Sequence, residues 1–393
     1  MTTFVRDNSR GWETPSAKIT NTLIEGENLN ALLLLENTYT KKIDCIYLDP
    51  PYNTLGKELS YGDSRSDWIT FMRERLAISK KLLSANGVIF ISIDDHEVAR
   101  LRILCDDIFG KNNHLATLVV INHPGGRNSG GNYSLCHDYV LVYANKKRAN
   151  LIQGRKLTED EKKEYKYVDD ISNYKLAMLR KTGETDKRSD RPNLFYPIYW
   201  EQTSNTLSVT KKNGWTKILP IRADGSDGRW RWGKTTFEKR MNTEIVIKLS
   251  SSNYPIPYLK IRNTKERTRK YKSIMNDPSY TSKRGAEDLS RILGSKDLFP
   301  YAKPIELLKD LIRSATNTNS IVLDFFAGSG TTGQAVYELN KEDNGQRQFI
   351  LITNNETSEK LPDGICHQVT YPRLEKTTKE GTSLLYFTVS LNQ

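Results

Sequence analysis

The chain has 393 residues and a formal net charge of +12, from 59 Lys and Arg against 47 Asp and Glu. That length accommodates a large α/β domain plus a second module. The longest apolar approach, Leu29 to Leu35, falls far short of the roughly 18 residues a membrane helix needs, and Met1-Thr2-Thr3-Phe4-Val5-Arg6 has no secretory pattern, so a cytoplasmic protein without a membrane anchor is expected.

Residues 20–145 alternate between strand-like and helix-like stretches. Thr22 to Glu25 reads as a short strand and Leu29 to Glu36 as a helix. Ile43 to Leu48 is an apolar run that predicts a buried strand. Trp68 to Leu83 carries apolar residues at helical spacing and stops at Asn86-Gly87. Val88 to Ile93 predicts another buried strand, followed by a helix from Val98 to Phe109. Leu118 to Asn122 and Asp138 to Ala144 read as a strand pair joined by the glycine-rich loop His123 to Gly131. Such alternation predicts a doubly wound sheet with an antiparallel strand at one edge.

The pattern breaks down between about residues 150 and 295. Within 151–300 there are 32 Lys and Arg against 19 Asp and Glu, while the rest of the chain has 27 against 28. The basic surplus therefore sits in one polar α+β segment, which suits a phosphate-tracking module. Four of the six tryptophans (Trp200, Trp215, Trp230, Trp232) lie there, and aromatics interleaved with arginine suit stacking on bases. Trp230 and Trp232 are assigned to the module's core rather than to nucleic acid.

Helical and strand patterning resumes at Lys303. A helix is predicted to Ala315, a strand over Ile321 to Leu323, a helix from Thr331 to Leu339 and a strand from Phe349 to Thr353. Gln368-Val369-Thr370-Tyr371 and Leu384 to Val389 are read as further strands. The four cysteines (Cys45, Cys105, Cys136, Cys366) have neither disulfide-framework nor zinc-ligand spacing, so reduced thiols and no metal site are expected.

Two segments carry chemistry, and each follows a buried strand, at the edge where open α/β sheets bind ligands. Asp324-Phe325-Phe326-Ala327-Gly328-Ser329-Gly330-Thr331-Thr332-Gly333 contains a G-x-G-x-x-G turn that opens a helix. A nicotinamide or flavin site would carry this turn in its first βαβ unit, and no P-loop lysine follows. Glu356, just past the next strand, is placed to accept hydrogen bonds from ribose hydroxyls. Asp49-Pro50-Pro51-Tyr52 suits work on a planar amine. An exocyclic base amine is a poor nucleophile because its lone pair is delocalised. The Asp49 carboxylate and the Pro50 carbonyl can accept its hydrogens and draw it toward tetrahedral geometry. Tyr52 offers a flat face for a base extruded from a duplex. No cysteine follows a proline, which disfavours the thiolate chemistry of C5-cytosine methylation.

In these residues the chain resembles the β group of DNA amino-methyltransferases, and most of all the modification subunits of type III restriction–modification systems. The likeness is carried by Ile24-Glu25-Gly26-Glu27-Asn28, the run from Leu48 to Thr54, Gly87 to Asp95, Gly228-Arg229-Trp230-Arg231-Trp232, Lys303-Pro304 and Ile321 to Thr332. It implies a Rossmann-like α/β methyltransferase with a circularly permuted motif order and an inserted α+β target-recognition module. Residues 1–150 and 301–393 would form the catalytic domain and 151–300 the recognition module. S-adenosylmethionine would be held by the turn from Asp324 to Thr332, with Glu27 and Asn28 near its adenine, Glu356 on its ribose, and Lys303 and Pro304 at its methionine end. Asn53, Arg127, Arg229, Arg231 and Lys234 would contact DNA.

The DPPY spelling implies N6-adenine in double-stranded DNA, with N4-cytosine and RNA as alternatives. A non-catalytic DNA-binding subunit is disfavoured by the intact Asp49, Tyr52 and glycine turn. The family implies a restriction endonuclease as partner subunit and a homodimer as assembly. This chain is shorter than typical type III subunits, so a type II or phage-encoded enzyme fits as well.

Overall fold

Successive residues of Ile43–Leu48 point into two different cores. Cys45 and Tyr47 join one buried cluster, whereas Ile46 and Leu48 join another. A strand whose two faces are both covered reads as a continuous apolar run rather than an alternating one. The structure is a computed structural model and describes residues 2–54, 67–127, 132–264, 267–295 and 298–391. Residues 128–131 of the expected glycine-rich loop lie outside the described residues.

The large sheet has ten strands: β1 (Thr2–Arg6), β2 (Ile19–Glu25), β3 (Ile43–Leu48), β4 (Leu83–Ile93), β5 (His114–Ile121), β6 (His137–Ala144), β7 (Ile274–Met275), β8 (Ile321–Asp324), β9 (Gln348–Thr353) and β10 (Thr382–Leu391). Their spatial order is β1-β10-β2-β9-β8-β3-β4-β6-β5-β7. The six strands from β10 to β4 run parallel, and β6 is antiparallel to both β4 and β5.

Crossovers set the site. The helix Trp68–Leu82 links β3 to β4, and its Met72 and Leu76 pack with Ile46 and Leu48. The helix Thr331–Asp343 links β8 to β9, and its Ala335, Val336 and Leu339 pack with Cys45, Tyr47 and Leu351. The two crossovers thus leave β3 and β8 on opposite faces and in opposite directions. Between those neighbours lies the topological switch point, where open α/β sheets leave a crevice.

Close contacts divide the chain into Met1–Arg155 with Lys270–Gln393, and Lys156–Arg269. Residues 270–300, expected in the middle module, instead belong to the first unit. Ile274–Met275 extends the large sheet beside β5, and Leu289 of the helix Ser282–Leu293 is buried with Ile365 and Val369.

The second unit has a three-stranded and a four-stranded sheet, and the helix Lys234–Glu244. It carries 25 Lys and Arg against 15 Asp and Glu, so the basic surplus stays with it. Three of its four tryptophans serve its core, and Trp215 stays half-buried outside it. Trp200 and Trp230 are buried in its core, with Trp232 packed against them.

Gln368-Val369-Thr370-Tyr371 does not form a strand. Cys366–Thr370 is a wide helical turn leading into the helix Tyr371–Thr378. The β-branched Val369 and Thr370 favour strands locally, but Ile365, Val369 and Leu374 bury at helical spacing, and tertiary packing overrides the local preference. Among the described residues no helix is long and apolar enough to cross a membrane.

Candidate active site

Strands β3 and β8 are in parallel register, Val322 beside Cys45 and Leu323 beside Ile46. Asp49–Tyr52 and Phe325–Gly328 therefore leave the same sheet edge side by side, although 275 residues separate Asp49 from Asp324. They wall a cavity of about 1290 Å³. All four DPPY residues line it. So do Glu27, Asn28, Lys303, Phe325, Phe326, Gly328 and Glu356 from the expected cofactor set, and Arg127 from the expected DNA contacts.

The DPPY segment is held from several sides. Trp68 Nε1 donates to the Pro51 carbonyl at 2.8 Å, fixing the turn to the helix that follows it. Lys303 Nζ donates to Tyr52 Oη at 2.9 Å and lies 2.9 Å from Asp49 Oδ1. That second approach is an ion pair outside hydrogen-bond geometry, since Asp49 Oδ1 is buried with no hydrogen-bond partner among the described residues. An acceptor oxygen of this kind is available to an amine donor. Burial and then the Asp49 charge push the Tyr52 phenol well above its usual range, so it stays neutral. Lys303 was expected at the methionine end of a cofactor. Its ammonium meets the DPPY residues on the cavity wall, and Pro304 is buried at the start of the helix Ile305–Ala315, off that wall.

The glycine turn shows a division of labour that spacing cannot reveal. Asp324 is buried and aimed inward: it accepts from the Phe326 N–H at 3.0 Å and from Thr332 Oγ1 at 2.5 Å. It braces the turn rather than facing the cavity, and burial pushes its carboxyl up to about 7. Ala327, Ser329, Gly330, Thr331 and Thr332 are likewise off the wall. Gly330 caps the helix at φ +76°, a left-handed position. A Cβ on Gly333 would lie 2.6 Å from Leu374 Cδ2, so the third glycine serves close packing. Thr370 Oγ1 donates to the Gly328 carbonyl at 2.5 Å, and the buried Arg373 donates to Thr331 Oγ1 at 2.6 Å and Gln334 Oε1 at 2.9 Å.

Opposite the turn, Glu27 caps the helix Asn28–Tyr39 by accepting from the Asn30 N–H at 3.0 Å. Asn28 Nδ2 donates to the Phe325 carbonyl at 2.9 Å, joining that helix to the turn. Arg75, a buried residue of the helix Trp68–Leu82, donates to Asn28 Oδ1 at 2.6 Å and pairs with Glu27 Oε1. Its guanidinium lies 3.6 Å from the centre of the Phe71 ring, which in turn meets Phe326. Glu356 lines the wall, with Oε1 accepting from Asn354 Nδ2 at 2.5 Å.

Sequence reading missed Arg75, Arg373, Thr370 and Asp138. A faint signal existed for two of them: Arg75 interrupts an otherwise apolar helix face, and Asp138 opens an apolar strand.

The expected DNA contacts divide. Arg127 is exposed and on the wall. Asn53 is off the wall and donates to the buried Glu97 at 2.8 Å. Arg229 is buried, with Nε donating to the Thr185 carbonyl at 2.5 Å, so it cannot grip phosphate without breaking the module's core. Arg231 and Lys234 are exposed, although Arg231 Nε donates to the Met178 carbonyl at 2.9 Å.

Residues 43–361 match the family model described as DNA methylase, for N6 and N4 methyltransferases. The chain belongs to the DNA methylase family. This DNA methylase is similar to the type II methyltransferase M.KpnI of Klebsiella pneumoniae, with 35% identity over 353 residues, 87% of this chain and 82% of that protein. It is also similar to two Mod subunits of type III restriction-modification enzymes. With the EcoPI subunit of Escherichia phage P1 it shares 31% identity across 97% of this chain and 66% of that subunit. With the StyLTI subunit of Salmonella typhimurium the values are 30%, 85% and 52%. The DNA methylase described here thus spans about half to two thirds of the Mod subunits it matches.

No cysteine lines the cavity among the described residues. Cys45, Cys105 and Cys366 are buried with their thiols pushed up by burial, and the half-buried Cys136 is off the cavity wall, so no thiol is placed for C5 chemistry there.

Proposed function

We propose that this DNA methylase methylates the N6 of an adenine swung out of double-stranded DNA, with S-adenosylmethionine as methyl donor. The observation that carries the reading is that the glycine turn shares one cavity with Asp49, whose Oδ1 is ion-paired to Lys303 but accepts no hydrogen bond from the described residues. The wall chemistry fits the donor: Glu27 and Glu356 suit hydroxyl and amino donors of a nucleoside, Phe326 offers a ring for its base, and Gly328 brings backbone close without a side chain. When bound there, the donor supplies an electrophilic methyl group.

The chain's own residues act on the base. Asp49 accepts a hydrogen bond from the amine, and its negative charge stabilises the positive charge that develops on the nitrogen until the surplus proton leaves to the carboxylate or to water. The Pro50 carbonyl is the second acceptor. Lys303 holds Asp49 and Tyr52 in one arrangement, so the carboxylate and the stacking ring stay in register. Such preorganised acceptors work best in a site that excludes water. Arg127 of the first unit and Arg231 and Lys234 of the second serve phosphate, and the basic surplus of residues 156–269 supports the second unit as the DNA-recognition module. By likeness to the Mod subunits, the wider context is a restriction–modification system in the cytoplasm, with a nuclease subunit and a second copy of the chain as partners.

Transfer of labelled methyl to a plasmid library, with the modified base and its context read by sequencing, tests the reading. N6-methyladenine at one recurrent sequence is the expected result. Modified cytosine overturns the adenine assignment, and label on RNA alone overturns DNA as substrate.

A further inference from the structure

Asp138 opens β6 at the same sheet edge as the ends of β3 and β4, with Val120 of β5 opposite it. The residue is 9% exposed and lines the cavity with Asp49, Tyr52 and Lys303. Among the described residues no hydrogen bond reaches its Oδ1, and the Arg127 guanidinium stands 3.8 Å away, too far for one. Neither the DPPY chemistry nor the glycine turn uses this acid. A buried polar atom left unpaired carries a cost unless a ligand satisfies it.

The missing partner can be named by chemistry. Beside its amine, adenine presents the ring nitrogen N1, which accepts a hydrogen bond, so a base held by acceptors alone would leave N1 unpaired. Lys303 is already turned to Asp49 and Tyr52. Burial, with Asp49 and Asp94 nearby, raises the proton affinity of Asp138, while Lys303 and Arg127 oppose the shift. A buried carboxylic acid that keeps its proton is a hydrogen-bond donor.

We propose that Asp138 selects an amino base over a keto base by donating its O–H to N1 of the flipped adenine while Asp49 accepts from the adjacent amine. Together the two acids read an amine beside a bare ring nitrogen. Guanine and thymine present a carbonyl and an N–H at those places, which leaves both acids mispaired, whereas cytosine, with its amine beside a bare N3, meets both acids as adenine does. Extruded bases are commonly read at this edge. The inference rests on the adenine reading proposed above.

The test uses duplexes carrying the mapped recognition sequence, with adenine or 1-deazaadenine (C–H in place of N1) at the target. Wild type is expected to lose at least about 10-fold in kcat/KM on the analogue. Asp138→Ala should lose at least about 10-fold on adenine yet treat the two bases within about 2-fold, with S-adenosylmethionine affinity by calorimetry unchanged. Asp138→Asn, whose amide N–H can donate instead, should recover most of the adenine activity and preserves side-chain size if the Ala variant fails to fold. Asp138→Ala has no donation to N1 to lose, so full wild-type activity in it, or an undiminished 1-deazaadenine penalty in it, overturns the assignment. If only the Asn variant folds, adenine activity more than about 10-fold below wild type overturns it. Failure of wild type to methylate any duplex overturns the underlying reading instead.

Discussion

Lys303 Nζ stands 2.9 Å from Asp49 Oδ1, so a residue just ahead of the helix Ile305–Ala315 sets the electrostatics of a motif at the end of β3. The same ammonium donates to Tyr52 Oη. One cation therefore holds both the acceptor and the stacking ring.

Lys303→Met, which keeps the stem and removes the charge, should lower kcat on the order of 100-fold, comparable with removing one preorganised polar group from an active site. Cofactor affinity should change far less, because the ammonium faces the DPPY residues. Single-turnover methyl transfer together with calorimetric binding separates the two effects. A variant with unchanged kcat and weakened cofactor binding would return Lys303 to the methionine end.

Asp49→Ala should cut methyl transfer by at least about 100-fold, since it removes the acceptor for the amine. S-adenosylmethionine binding should stay mostly intact, as the glycine turn has its own bracing through Asp324, Thr370 and Arg373. Full activity would refute the assigned role.

Arg75→Met removes the donor to Asn28 and the ion-pair partner of Glu27. Glu27 is half exposed, so the ion pair itself contributes little. Loss of the buried hydrogen bond should destabilise the fold by about 1–3 kcal/mol. Cofactor affinity should fall as well, because Glu27 and Asn28 line the cavity. Urea unfolding measures the first effect and calorimetry the second.

Asp324 gives a pH dependence whose sign is opposite to that of a salt-bridged carboxylate. Its carboxyl is raised from 3.8 to about 7 in the folded chain. Between those values the folded chain holds a proton that the unfolded chain has released. Stability is therefore fully present below the unfolded value and lost as pH rises through about 7, at up to about 1.4 kcal/mol per pH unit. Asp324→Asn cannot titrate, so its stability should vary less between pH 5 and pH 7.5 (roughly the upper part of that window) than wild type. Denaturant midpoints across that range check it, and identical slopes for both proteins would contradict it.

The sheet strands and crossover helices were legible because their cores impose strong periodicity: Ile43–Leu48 is buried on both faces and Trp68–Leu82 on one. The turn at Cys366–Thr370 was not, since its β-branched residues favour a strand locally and only contacts with Leu289 and Leu374 make it helical. The same limit applies to Arg229. Its place among Gly228-Arg229-Trp230 suggests a phosphate contact, but a Thr185 carbonyl 44 residues away takes its donor.

Sequence alone determined the two reactive segments, their strand-end positions and their order, because strand burial, proline and glycine geometry are local properties. Only the tertiary structure decided how the labour divides around the cavity. It turned Asp324 inward and brought Lys303 onto Asp49. It buried Arg75 against Glu27 and Asn28, and left Asp138 without a hydrogen bond at Oδ1. These outcomes depend on which distant strands become neighbours, and on whether a charged group meets a partner when water is removed. No spacing along the chain encodes either.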